Sequence, residues 1–428
     1  WQLERLPFCP QGFRVTTGDG PSVSATLEHR LGMYYVQEAA SMLPVELFSI
    51  EDGRETLNLD MAASPGGKTT HLVSRTGDRG LVIANDSSQG RMQALRIVLQ
   101  SWGAVNTAVT RFPGEKFGAW FPDTFDRVLL DAPCSMQGLR TAESHPVKPV
   151  TPREINQLSL RQSALLESAL RAVKPGGEVV YSTCTLMPEE NEGVVDAVLK
   201  NSAGRVELLD AQLVLPQPAP GLTSLDDHEF FPGMERTIRL WPHRYQTAGF
   251  FACLLRKNES MEYPSESVPA RSLDRVGFYP LDDKEIAVFC QRFLDEFGFD
   301  INLDLSTNHR ILIRRFEEIH LFPALLVQYF ADLPLQSAGL LLGQQTPDGF
   351  LPSHEWVTRF GASCRNNVVT LDELQSRAWM KGENLPISQT HPTTSNRYRV
   401  VLNQANQAIG RAKVSSAGLK NLLPRRLL

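Results

Sequence analysis

The chain has 428 residues, 42% of them hydrophobic and 21% charged, with a formal net charge of −5. At roughly 150 residues per domain, that length gives room for about three domains and a large core. No apolar run approaches the ~18 residues of a membrane span, and the first thirty residues contain no apolar segment of the signal-peptide kind.

Short apolar runs at 56–61, 81–84, 125–131 and 178–182 predict buried strands. Between them, residues 91–102 place Met92, Leu95, Val98, Leu99 and Trp102 on one helical face. A second helix is predicted over 158–173, ending at Lys174-Pro175-Gly176-Gly177. Alternating strands and helices of these lengths predict an α/β fold with a parallel, doubly wound sheet, whose ligands bind outside the carboxyl ends of the strands. A late strand at 250–255 closes this region. Residues 258–272 mix Glu, Ser and Pro without apolar period, the composition of a linker. Beyond it, β-type segments at 310–313, 339–342 and 397–402 predict a smaller, mixed or mainly β fold. The expected division is 1–257, a linker at 258–275, and 276–428.

The six cysteines stand at 9, 134, 184, 253, 290 and 364. They form no Cys-x-x-Cys pair, so the spacing carries no zinc signal and no metal is expected. Free thiols in a reducing, cytoplasmic setting fit better. Residues 385–428 carry Arg397, Arg399, Arg411, Lys413, Lys420, Arg425 and Arg426 and no acid, which leaves 36 basic against 48 acidic groups in the rest. A basic end on an acidic body suits a phosphate-facing patch or a solvated tail.

The chemistry concentrates at three points. Ala62-Ala63-Ser64-Pro65-Gly66-Gly67-Lys68 follows the first strand and opens a helix, a turn that lets backbone approach a ligand at a helix amino end. A phosphate-binding Walker loop needs glycine five residues before Gly67, where Ala62 stands. Asp86 ends the next strand, at the spacing of an acid that accepts ribose hydroxyls of an adenosine cofactor. Asp131-Ala132-Pro133-Cys134 and Ser182-Thr183-Cys184 then place two thiols at strand ends.

Asp131-Ala-Pro-Cys134, Tyr181-Ser-Thr-Cys184-Thr-Leu and Asp60-x-Ala-Ala-x-Pro-Gly-Gly-Lys68 together resemble the motifs of the Sun/Nop-type RNA cytosine-5 methyltransferases. The segments 34–44 and Pro188-Glu189-Glu190-Asn191-Glu192 fit the same family. Residues 310–428 resemble the end of the RsmF-type bacterial ribosomal RNA enzymes, a PUA-like RNA-binding module. The resemblance implies a Rossmann-like methyltransferase domain and S-adenosylmethionine held by residues 62–68, Asp86 and Asp131. It makes Cys184 the nucleophile and gives Cys134 a part in proton removal or release. Asp131 beside it suits hydrogen bonding to the cytosine ring. Arg411, Lys413, Lys420 and Arg425 would contact RNA, with ribosomal RNA or a small-subunit assembly intermediate as the partner and a monomer as the acting form. The acids at 189, 190 and 192 suit a helix start and read as structural.

Three departures accompany the resemblance. Pro113 stands where an acid near the adenine is usual, and Met136-Gln137-Gly138 replaces Gly-x-Gly. Residues 139–150 also lack the basic pair and Trp of that loop. The chain opens at Trp1, and an amino-terminal RNA-binding lobe is expected upstream. The alternatives left open are a catalytically weak RNA-binding assembly factor and the same methyltransferase acting on tRNA.

Overall fold

Each predicted apolar run of the first region forms a strand, and Thr107–Thr110 adds one that the sequence pattern does not predict. The computed structural model describes all residues except 19, 21, 52, 142–148, 262–263, 387–395 and 428. Strands β1 (Leu57–Asp60), β2 (Leu81–Asn85) and β3 (Thr107–Thr110) are buried at every position, as strands covered on both faces must be. They are followed by β4 (Phe125–Asp131), β5 (Val173–Thr183) and β6 (Phe250–Lys257). Helices α1 (Gly67–Arg75), α2 (Gln89–Trp102), α3 (Pro152–Ala172) and α4 (Glu192–Asn201) lie between them in sequence.

The sheet runs β6-β5-β4-β1-β2-β3. β1 pairs in parallel with β2 and β4, and β4 with β5. The chain leaves β1 toward β3 and returns on its other side as β4. That reversal opens a crevice beyond the carboxyl ends of β1 and β4. The sheet departs from the all-parallel expectation at one edge, where β6 pairs antiparallel with β5. After α4 the chain forms Val206–Leu209 and Ile238–Leu240, both antiparallel to β6. The parallel crossovers therefore stop at β5, although α4 and a further strand follow it.

α3 begins earlier than its apolar period suggests. Thr151 caps it, accepting from the Glu154 amide at 3.2 Å, while the Glu154 carboxylate accepts from the Thr151 amide at 2.8 Å. Pro152 takes the first helical position, where its missing N–H costs nothing. The helix stops at Ala172, before the Lys-Pro-Gly-Gly run.

The chain folds into two compact units. The first comprises Trp1–Pro21, Val36–Arg96 and Ala108–Pro269, and the second Ser22–Tyr35, Ile97–Thr107 and Ala270–Leu428. Their last boundary falls inside the predicted linker, but the first half also lends two segments to the second unit. Leu31 packs with Val369, Trp379 and Val401, and Val105 with Phe293, Phe297 and Trp356. Isolated apolar residues of this kind carry no sequence sign of which core they join. Part of the predicted linker is docked rather than free: the Glu266 amide donates to Ala119 O at 3.0 Å, and its carboxylate pairs with Lys116 at 2.9 Å.

The second unit is mixed, as expected. An antiparallel sheet holds Tyr279–Pro280, Arg310–Arg315, Glu318–Pro323, Leu340–Thr346 and Gly349–Pro352. Another contains Val368–Leu371, Tyr398–Asn403, Ala408–Ser415 and Gly418–Asn421, its first pair parallel. Among the described residues no helix is long and apolar enough to cross a membrane.

Candidate active site

Asp60, the last residue of β1, begins the site. It is 1% exposed; its Oδ2 accepts from Thr69 Oγ1 at 2.6 Å, while Oδ1 has no partner among the described residues. Burial pushes its carboxyl up to about 7, against the pull of the Thr69 bond and of Lys68. The glycine turn follows, with Gly66 at φ 117°, a conformation glycine adopts freely, and α1 starts at Gly67.

Asp86 follows β2, also 1% exposed. Its carboxylate accepts from the Ser88 amide at 2.8 Å and the Ser64 amide at 3.3 Å, and pairs with Arg91 at 3.2 Å. Asp131 ends β4, its Oδ1 accepting from Ser182 Oγ at 2.9 Å. Three neighbouring strands thus deliver three carboxyls to one edge. The Walker reading already fails at Ala62.

Lys68, in the first turn of α1, points into this edge. Its ammonium lies 2.8 Å from Asp131 Oδ2 and 5.7 Å from the centre of the Phe250 ring. Burial alone would lower its pKa, yet Asp131, with Asp60 and Cys184, raises it above the usual lysine value. The two thiols complete the cluster: Cys134 Sγ and Cys184 Sγ are 3.3 Å apart, both free and partly buried. Their surroundings differ. The hydrogen bond with Cys184 and then burial hold the Cys134 thiol well above its ordinary range, and Cys184 is among the groups that raise Lys68.

The chain is similar to known proteins over its whole length. The family described as 16S rRNA methyltransferase RsmB/F matches residues 48–256. Ribosomal RNA small subunit methyltransferase F of Aeromonas salmonicida is 32% identical over 431 residues, covering 100% of this chain and 86% of that protein. The protein of the same name from Salmonella schwarzengrund is 32% identical over 432 residues, with coverages of 100% and 85%. The chain belongs to the RsmB/F family. The crystal structure of a methyltransferase homolog protein from Pyrococcus horikoshii is similar over 60% of this chain and 78% of that one, at TM-score 0.52 and 34% identity.

As an RsmB/F protein the chain is an S-adenosylmethionine-dependent RNA methyltransferase. The site fits that cofactor on its own terms. The orphaned Asp60 oxygen and the carboxylates of Asp86 and Asp131 suit a ligand carrying an ammonium, a sulfonium and ribose hydroxyls.

The departures from the RsmB/F pattern have structural counterparts. Met136 has φ 55°, the left-handed region that glycine adopts without strain, so the missing glycine is a backbone matter. Gly138 is retained where it is needed. Its amide donates to Cys184 O at 3.0 Å, and a Cβ there would lie 2.2 Å from Gly249 O. Pro113 precedes a short 3-10 turn, and the flanking Phe112 amide and carbonyl are both held by Asn85. Most of the 139–150 loop, residues 142–148, lies outside the described residues.

The RNA contacts expected of the basic end divide in two. Lys420 and Arg425 are exposed. Arg411 instead donates to Pro352 O inside the sheet, and Lys413 pairs with Asp348, as does Arg397 at 3.2 Å. The patch is therefore less free than its composition suggests.

Several site-building residues escaped the sequence reading. Asn85, fully buried, donates to Met61 O and Phe112 O at 3.1 and 3.0 Å, and accepts from Thr110 Oγ1 and the Phe112 amide at 2.9 Å each. Glu190, read as a helix-start acid, is fully buried beside the Cys134 segment. A second polar cluster joins Cys9, on the strand Cys9–Thr17, to α1: Cys9 Sγ donates to Glu46 Oε1 at 3.3 Å, and His71 Nε2 lies 2.9 Å from the same oxygen. These three donor atoms lie within 4.8 Å of one another. Arg75, 3.5 Å from Glu46, already brings positive charge there, and the hydrogen bonds account for the cluster without an ion.

Proposed function

We propose that this chain methylates carbon 5 of a cytosine in 16S ribosomal RNA, with Cys184 as the attacking thiolate. The observation that carries this reading is the thiol pair, 3.3 Å apart, beside the 2.8 Å Lys68–Asp131 pair at the ligand edge of the sheet. The relatives are named for small-subunit ribosomal RNA, which supports that address over tRNA.

Cytosine carbon 5 is too weak a nucleophile to take a methyl group directly. Addition of the Cys184 thiolate to carbon 6 breaks the 5,6 double bond and leaves the electron pair available at carbon 5. Bound S-adenosylmethionine supplies the electrophilic methyl group. A base then removes the carbon 5 proton, the double bond re-forms, and the Cys184 thiolate is expelled. Cys134, 3.3 Å away and held as a thiol, assists this release. Asp131 already receives the Lys68 ammonium, the pairing of a carboxylate, so its part is to accept a hydrogen bond from the cytosine's exocyclic amino group. Lys68 keeps positive charge beside the nucleophile. The second unit acts as the PUA-like RNA holder through Lys420 and Arg425, and the enzyme works as a cytoplasmic monomer.

The decisive experiment is covalent trapping on ribosomal RNA containing 5-fluorocytosine, whose carbon 5 has no removable proton. Adduct formation by the native chain and its loss in Cys184→Ala are expected. An adduct persisting in Cys184→Ala would sink the assignment. Bisulfite sequencing of 16S rRNA from a deletion strain should show one cytosine losing protection.

A further inference from the structure

Glu190 and Asn191 are consecutive in the chain and hold different thiol segments. Glu190 Oε2 accepts from the Ser135 amide and from Gln162 Nε2, at 2.9 Å each, and its Oε1 accepts from Ser135 Oγ. Gln162 Nε2 also donates to Pro133 O at 2.9 Å. The residues on both sides of Cys134 are therefore tied, one directly and one through Gln162, to a single carboxylate. Asn191 treats Cys184 the same way: Nδ2 donates to Thr185 O at 3.0 Å, and Oδ1 accepts from Thr183 Oγ1 at 2.6 Å.

Glu190, Asn191 and Gln162 are all 0% exposed, so these bonds form without competition from water. Tyr181 Oη donates to Glu190 O at 2.5 Å, and the Val195 amide to Asn191 O at 3.1 Å, which fixes the two residues to β5 and α4. A planar peptide holds their Cα atoms ~3.8 Å apart. The two clamps share one rigid link.

We infer that Glu190 and Asn191 are positioning residues, a bracket that sets the spacing of the thiols and serves them separately. Glu190 governs the release step through Cys134, and Asn191 the attack through Cys184. This rests on the thiol roles given under the proposed function. A displacement near 1 Å at reacting atoms costs on the order of 10²-fold in rate, and an unpaired buried amide favours just such a shift.

The test compares Glu190→Ala, Asn191→Ala and Cys134→Ala in the full chain, with S-adenosylmethionine and 16S rRNA from a deletion strain. Denaturation-stable protein–RNA adduct and methyl transfer are followed together. Glu190→Ala should behave like Cys134→Ala, accumulating adduct while turnover falls about 100-fold. Asn191→Ala should form little adduct. The bracket is overturned if Cys134→Ala accumulates adduct and Glu190→Ala does not. If Cys134→Ala itself accumulates none, the role given to Cys134 fails instead, and the bracket is judged by spacing alone. That reading comes from the rate at which diamide, a two-electron oxidant reduced to its hydrazine, closes a Cys134–Cys184 disulfide in each folded variant. Closure at least tenfold slower in Glu190→Ala and Asn191→Ala is expected, and native rates in both would dismiss the bracket. Thermal unfolding identifies a variant that has not folded. Glu190→Gln, which keeps an acceptor oxygen, should then restore part of the native closure rate, and failure to do so counts against the inference.

Discussion

Lys68 joins the glycine turn to the sheet edge where the two thiols lie. It sits one residue past the glycines and still reaches Asp131 at 2.8 Å, so a single side chain couples α1 to the end of β4. Replacing it with Met keeps the bulk and removes the charge. We expect kcat/KM on ribosomal RNA to fall at least about 100-fold, and the rising limb of the pH–rate profile to move to higher pH. An unmoved profile would make Lys68 a packing residue. Asp60 gives a stability prediction with a defined sign. Its carboxyl titrates near 7 in the fold and about 3.9 in an unfolded chain. Between those values the unfolded state loses the proton and the native state keeps it, so stability drains away as pH rises from about 4 to about 7, by up to about 4 kcal/mol. Asp60→Asn should flatten that limb of a Tm-against-pH curve measured without cofactor.

Elements were most legible where period and punctuation agreed. The run at 125–131 became β4 with its boundaries unchanged, and Thr151-Pro152-Arg153-Glu154 spelled a capping box that the apolar period alone missed. The thiol motifs and the glycine turn landed together because parallel strands end at a common edge. The supports of that edge stayed hidden. Asn85 and Gln162 are ordinary polar residues in sequence, and only their burial against specific carbonyls gives them a task. Removing Asn85 leaves buried donors and acceptors unpaired in the loops after β1 and β3. Asn85→Ala should destabilise the first unit by about 3 kcal/mol in urea titrations and weaken S-adenosylmethionine binding in parallel. The opposite sign is expected at Met136. Its φ of 55° suits glycine, so Met136→Gly should raise stability by about 1 kcal/mol; a lower Tm would show that the side chain's contacts outweigh the strain.

At the scale of the whole molecule, Asp60 and His354 give the two units contributions of opposite sign in acid. In the second unit, burial lowers the His354 imidazole to about 4. As pH falls from about 6.5 to about 4 the unfolded chain takes up a proton that the native imidazole refuses, and stability drops by up to about 3 kcal/mol. The first unit gains stability over much of the same interval through Asp60. Mild acid should therefore weaken the second unit selectively, and His354→Gln should protect it in limited proteolysis near pH 5. Composition alone could not foresee this, nor the assignment of Ser22–Tyr35 and Ile97–Thr107 to the second unit, because both depend on which core a side chain enters. The internal pairing of the basic end carries one more consequence, in the thermodynamics of counterion release. A cation that already has a protein carboxylate displaces few ions from RNA. Lys413 and Arg397 share Asp348, and Arg426 is paired with Glu355, whereas Lys420 and Arg425 are exposed. Each phosphate contact contributes about 0.7 to 0.9 to the slope of log affinity against log salt. Replacing Lys420 and Arg425 with alanine should flatten that slope by about 1.4 to 1.8, and replacing Arg397 and Lys413, which share one carboxylate, should flatten it less.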